Sequence, residues 1–246
     1  MSKQGEIDYL KNIGEAGILH ALNKPFSDAY CGEYLVQIGT IMSLLPQPPA
    51  KLLDLGCGTG WTSCLFAKRG YEVTGSDIAD DMIKNANINK NREGLNNLQF
   101  IVCDYENLKF DSEFDCAVFF DSLHHSMDEN DAILAVYKAL KHGGVCIAFE
   151  PGTGNENRKE SKDAVLKYKV NERDMPPKKI IKAGKKAGFR VFKTYPHIKL
   201  INRALFAEPK HIILKKLFKF NFIRNLAAIY IITFFKRYTG IVLMVK

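Results

Sequence analysis

The chain has 246 residues, 46% of them apolar and 25% charged, which suits one substantial core and excludes a disordered or fibrous chain. Its six cysteines (Cys31, Cys57, Cys64, Cys103, Cys116, Cys146) make no C-x-x-C pair and no Cys/His cluster, which argues against a zinc centre or a disulfide framework and predicts a reducing, cytoplasmic setting. The net charge of +8 is uneven: residues 1–150 hold 12 Lys/Arg and 21 Asp/Glu, residues 151–246 hold 23 and 6, so the basic part is suited to an anionic substrate, a membrane surface or nucleic acid. Residues 1–45 predict two or three helices with no signal peptide, the last helix capped at Ser27-Asp28, running through Tyr34, Ile38, Ile41 and Leu45, and stopped by Pro46-Gln47-Pro48-Pro49.

Leu52-Leu53-Asp54-Leu55-Gly56-Cys57-Gly58-Thr59-Gly60 then reads as a strand, a glycine turn and a helix start at Trp61, the first βα unit of a nucleotide-binding α/β fold. The spacing G-x-G-x-G, with an acid two residues before the first glycine, suits a ligand with an amino group better than a pyrophosphate, which needs bare backbone N–H groups. S-adenosylmethionine (SAM) has such an ammonium. Tyr71–Asp77 predicts a second strand ending in an acid placed to accept both ribose hydroxyls. A helix with Asp80-Asp81 in its first turn carries Met82, Ile83 and Ala86. Phe100–Tyr105 predicts a third strand whose Asp104 would accept from an adenine amine; Phe114–Asp121 predicts a fourth. Leu140-Lys141-His142-Gly143-Gly144 closes a helix and turns into a fifth, Val145–Phe149.

These motifs, D-x-G-x-G-x-G, a second-strand acid, a third-strand Asp and L-K-x-G-G, resemble those of class I SAM-dependent methyltransferases over roughly residues 35–150. The resemblance implies a Rossmann-like, seven-stranded, mostly parallel sheet with helices on both faces. It also implies a last strand slotted antiparallel between the fifth and sixth, and N-terminal helices lying over the cofactor. The cofactor would be SAM and the product S-adenosylhomocysteine. On that basis Gly56, Cys57, Gly58 and Gly60 lie under the methionine moiety and Asp54 holds its ammonium. Asp77 takes the ribose, Ile78 and Met82 flank the adenine, Asp104 and Tyr105 read its amine edge, and Asp121 completes the site.

Beyond Glu150-Pro151-Gly152, residues 155–175 are polar and predict a lid or loop with one helix near Lys162–Tyr168. Met175-Pro176-Pro177 starts another helix that ends at Gly188, before a sixth strand over Phe189–Tyr195. Gly240–Lys246 predicts a seventh, so residues 1–246 read as a single domain. Between strands six and seven, residues 196–239 form a basic insertion, with helices predicted from Pro209 and over Asn221–Phe235. It reads either as a cap packed on the domain or as a basic amphipathic dock for a membrane or a second copy. No apolar run reaches the about 18 residues of a membrane span.

Asp121-Ser122-Leu123-His124-His125, just past strand four, holds the candidates for a general base: His125 first, His124 second, with Glu150 facing the same cleft. L-H-H is also a common packing and capping element, and His20 and His197 are weaker candidates. No Asp/Asn set suggests a divalent metal, so metal-independent chemistry is expected. The Glu150-Pro151-Gly152 turn followed by the Asp174-Met175-Pro176-Pro177 helix start resembles a group of bacterial methyltransferases of surface-polysaccharide and other glycan pathways. It implies O-methylation of a small or medium anionic acceptor, a glycan intermediate first. A membrane lipid or quinone is the runner-up, and a SAM-binding protein without catalysis the alternative from another class. Nucleic acid is disfavoured, since no RNA-binding module or aromatic–basic platform is present. A monomer or homodimer, in the cytoplasm or peripheral at the inner membrane face, is expected.

Overall fold

The computed structural model describes residues 3–208 and 212–246, the side chains of 212–214 apart. Seven strands form one sheet: β1 (Lys51–Leu55), β2 (Glu72–Asp77), β3 (Leu98–Val102), β4 (Phe114–Phe120), β5 (Leu140–Phe149), β6 (Val191–Pro196) and β7 (Gly240–Val245). Their order is β3-β2-β1-β4-β5-β7-β6, with β7 antiparallel to both β5 and β6 and the other pairs parallel.

The alternation of side chains along each strand builds two apolar layers. Leu53, Leu55, Ala117, Phe119, Ala148, Val242 and Met244 face α5 (Glu129–Ala139) and α7 (Pro177–Ala187). Leu52, Val73, Cys116, Val118, Ile147, Ile241 and Leu243 face α2 (Cys31–Leu44) and α3 (Trp61–Arg69). α4 (Asp80–Arg92) packs on β3 and β2, and α1 (Gln4–Leu22) reaches over α4. α1 kinks at Gly14, where φ is 71°.

Several boundaries differ from expectation. α2 starts at Cys31, because Asp28 does not cap it; its carboxylate accepts the Tyr30 N–H at 2.7 Å in the preceding turn. α5 ends at Ala139 and β5 already begins at Leu140, so L-K-x-G-G lies inside the strand, at a register irregularity against β4. β3 stops at Val102, two residues before Asp104. Within 155–175 a helix, α6 (Lys159–Tyr168), covers most of the first half.

The insertion holds α8 (Ile198–Phe206), α9 (Ile212–Leu217) and α10 (Asn221–Thr233). α8 was not expected; Ile198, Ile201 and Leu205 have helical spacing, and the helix forms because it packs on α2 and α10. The predicted helix start at Pro209 lies outside the described residues, as do the side chains of Ile212 and Ile213.

Candidate active site

The strand order reverses between β1 and β4, and the crevice beyond their carboxyl ends is where an open α/β sheet holds a ligand. A cavity of about 590 Å³ opens there. Gly56, Cys57, Gly58, Asp77, Ile78, Met82, Asp104, Tyr105, Asp121 and His125 all line it. Asp54, Gly60, His124 and Glu150 do not; they stand behind the wall.

The glycine loop is tight for steric reasons. Gly56 has φ 68°, and a Cβ there would meet Ser122 Cβ at 2.7 Å. At Gly60, φ 76°, a Cβ would sit 2.4 Å from the Phe100 ring. Asp54 braces the loop from below: its Oδ2 accepts the hydroxyls of Thr62 at 2.7 Å and Ser63 at 2.6 Å. Burial pushes its carboxyl up to about 6, and the two hydroxyls oppose that shift. Thr62, not Asp54, reaches the cavity wall. Asp77 accepts the Gly58 and Ala79 N–H groups at 2.9 Å each, and burial again raises its carboxyl above the usual range.

Asp104 heads a short 3-10 turn, Tyr105–Asn107, its Oδ1 accepting the Glu106 N–H at 3.0 Å and its Oδ2 the Asn107 side-chain amide at 2.9 Å, with Lys3 paired to the same Oδ2. Tyr105 donates its hydroxyl to the Ser122 carbonyl at 2.9 Å. Asp121, at the end of β4, sits at φ 54°, an uncommon conformation for a non-glycine residue.

Glu150 was expected to face the cleft. The structure places it instead under the Leu123–His125 turn, 1% exposed. It accepts the N–H groups of Ser122 (3.2 Å), Leu123 (2.8 Å) and His124 (3.2 Å), and lies 2.7 Å from His124 Nδ1. A buried carboxylate with four donors has no capacity left for a substrate; it fixes the turn and the His124 ring. His124 Nε2 points toward Glu172, 3.7 Å away.

His125 alone of the pair reaches the cavity. Its Nδ1 lies 3.4 Å from Glu6 of α1. Burial pulls its pKa down, but Glu6, Glu172 and Asp121 together outweigh that and raise it from 6.5 to about 9. Asn171 ties the parts together: its N–H donates to Glu6 at 2.6 Å and its side chain to the His125 carbonyl at 2.9 Å. Tyr168 of α6 meets Tyr9 of α1 edge to face at 5.3 Å, so residues 155–175 and α1 close the cavity together. His20 is on the wall, 3.7 Å from Asp28. His197 packs on Phe149 away from it, and burial, with Lys199 nearby, lowers its pKa to about 4. Among the described residues, two groupings could hold an ion, with one ligand atom each within 4.8 Å: His124, His125 and Glu172, and Asp121, His124 and Glu150; His124, common to both, stands behind the cavity wall.

Glu6, Glu172 and Lys3 escaped the sequence reading. None carries a local motif, and each reaches the site only through the packing of α1 and of 155–175 on the crevice.

Residues 53–148 match the family described as a methyltransferase domain. The chain is 31% identical over 119 residues to a ubiquinone biosynthesis O-methyltransferase of Psychrobacter arcticus, 47% of this chain and 45% of the relative. It is 30% identical over 99 residues to an S-adenosyl-L-methionine-dependent Diels–Alderase of Talaromyces variabilis, 39% of this chain and 34% of the relative. It spans about half the length of the curated relatives it matches. Among solved structures it is similar to Haemonchus contortus phosphoethanolamine N-methyltransferase 2 in complex with S-adenosyl-L-methionine, with TM-score 0.66 and 20% identity, covering 97% of this chain and 59% of that one. Residues 53–148 thus carry a methyltransferase domain, and the sheet built around them has the fold of the SAM-dependent methyltransferase structures it is similar to.

Proposed function

We propose that the protein transfers the methyl group of SAM to a hydroxyl of a medium-sized acceptor presented at His125. The observation that carries this reading is one cavity joining the glycine loop and Asp77 to the His125–Glu6 pair. Its wall holds six carboxylates (Glu6, Asp77, Asp104, Glu106, Asp121, Glu172) against Lys3 and Lys24, which fits a cofactor carrying a sulfonium and an ammonium. When bound, SAM supplies a methyl group already activated for transfer.

The chain's own residues do the rest. Gly56 and Gly58 would border the methionine moiety and Asp77 would take the ribose hydroxyls. Ile78 and Met82 would flank the adenine, with Tyr105 and Asp104 at its edge. Asp54 acts at second hand, by holding Thr62. Fixing the acceptor in line accounts for much of the rate enhancement. His125 would accept the hydroxyl proton in its neutral form, held at the cavity by Glu6.

For the acceptor, a lipid or quinone has the better support. The wall is aromatic over Tyr9, Tyr34, Trp61, Phe120 and Tyr168, and one of the similar proteins is a ubiquinone biosynthesis O-methyltransferase. An anionic glycan meets only Lys3 and Lys24 there, and Lys3 is already paired with Asp104 and, at 3.1 Å, with Glu106. Among the described residues, no Lys or Arg of 151–246 lines the cavity, so the excess basic charge expected to hold an anionic acceptor lies elsewhere. A SAM-binding role without methyl transfer stays as the second reading, since a Diels–Alderase shares the SAM dependence.

The test is calorimetric titration with SAM and S-adenosylhomocysteine, then transfer of labelled methyl to quinols, lipids and glycan intermediates. Binding with transfer to quinols or lipids is expected. Transfer only to glycans refutes the acceptor class, binding without any transfer favours the second reading, and no binding refutes both.

A further inference from the structure

We propose that the insertion's outer face docks the protein on an anionic phospholipid bilayer, with α10 lying in the plane of the membrane surface. This does not rest on the acceptor named above.

A helix on the surface of a soluble domain turns its apolar side inward and its charges outward. α10 is apolar nearly all round and leaves large apolar side chains uncovered on its outer side. Phe222, Leu226, Ile229, Tyr230 and Ile232 share its outer side and are 43–62% exposed. The side turned to the protein carries Ile223, Ala227, Ala228, Ile231 and Arg224, whose guanidinium is spent on the carbonyls of Phe218, Ala204, Leu205 and Ala207. The exposed positions of α10 hold no charged residue. Phe206 at 76% and Phe220 at 58% extend the apolar surface beyond its start. Scattered exposed apolar residues are ordinary, but a contiguous stripe marks an interaction surface.

The charges choose the partner. Residues 196–239 hold nine Lys/Arg and one Asp/Glu, which is a net +8. Lys216 and Lys219 precede α10, and Lys236 and Arg237 follow it; among the described residues none of the four has an acidic partner within 4.0 Å. An apolar stripe bracketed by free cations at both ends matches lipid tails flanked by anionic headgroups. A second copy of the same positive face would instead be repelled. No helix among the described residues is long and apolar enough to cross a membrane, so the mode is in-plane. The face also adjoins the cavity: α8 packs on α2, and Arg203 clamps Glu33 at 2.6 Å, next to the wall residue Tyr34.

The experiment is co-sedimentation of the full chain with vesicles of phosphatidylcholine alone or mixed with phosphatidylglycerol, at low and high salt. The mixed vesicles should bring the protein down at low salt and release it at high salt. Phe222→Ser with Leu226→Ser and Tyr230→Ser should abolish the binding, and Lys216→Glu with Lys219→Glu should weaken it about tenfold or more. Both variants should keep the wild-type melting curve, which separates lost docking from lost folding. Protein that stays in the supernatant under all conditions, or variants that bind as well as wild type, would overturn the proposal. So would a concentration-dependent dimer that the triple variant breaks, with no vesicle binding.

Discussion

Glu6 on the first helix and His125 past strand four lie 3.4 Å apart, the N-terminal helix bringing a carboxylate to the imidazole that the sheet places at the crevice. With a folded pKa of about 9 against an ordinary 6.5, His125 is an imidazolium at neutral pH. Its contribution to stability is complete below 6.5 and is lost as pH rises through about 9.

Glu6→Gln should therefore move the acidic, rising limb of the kcat/KM profile of the free enzyme from about 9 toward 6.5, because His125 acts only when neutral. The same variant should flatten the loss of thermal stability across that window. His125→Ala should lower kcat by about a hundredfold or more while leaving SAM affinity nearly intact. A pH profile that Glu6→Gln leaves in place would return the pair to a purely structural role.

Asp77 accepts two backbone N–H groups, those of Gly58 and Ala79. Asp77→Ala should weaken SAM by about tenfold to a hundredfold, the scale of lost charge-assisted hydrogen bonds. Calorimetry on the variant checks this, and unchanged affinity would remove Asp77 from the ribose site.

Glu150→Ala should destabilise the fold by about 3–5 kcal/mol, because three buried N–H groups and the His124 ring lose their common acceptor. Glu150→Gln should recover part of this, since one amide oxygen still accepts. Denaturant titration measures both. A fully stable Glu150→Ala would show that the turn holds itself.

Methyl transfer should survive a chelator. Among the groupings able to hold an ion, Glu150 already engages His124, and Glu6 faces His125. Loss of activity with EDTA, restored by a divalent cation, would show that His124, His125 and Glu172 bind one.

The sequence by itself determined the sheet and the glycine turn and strand-end acids that meet at its crevice. Strand alternation, a glycine turn that admits no Cβ, and acids at strand ends are local signals, and each depends on residues a few positions apart. It misplaced boundaries where a long-range contact decides them, as at the start of α2 and in the L-K-x-G-G strand. Only the tertiary structure decided which members of Asp121–His125 face the ligand. His124 and His125 are adjacent in the chain, yet Glu150 draws one inward and Glu6 meets the other at the cavity. It also decided that α10 leaves Phe222, Leu226, Ile229 and Tyr230 uncovered. Periodicity marks a helix as amphipathic, but which side is covered depends on the neighbours that pack against it, and those come from elsewhere in the chain.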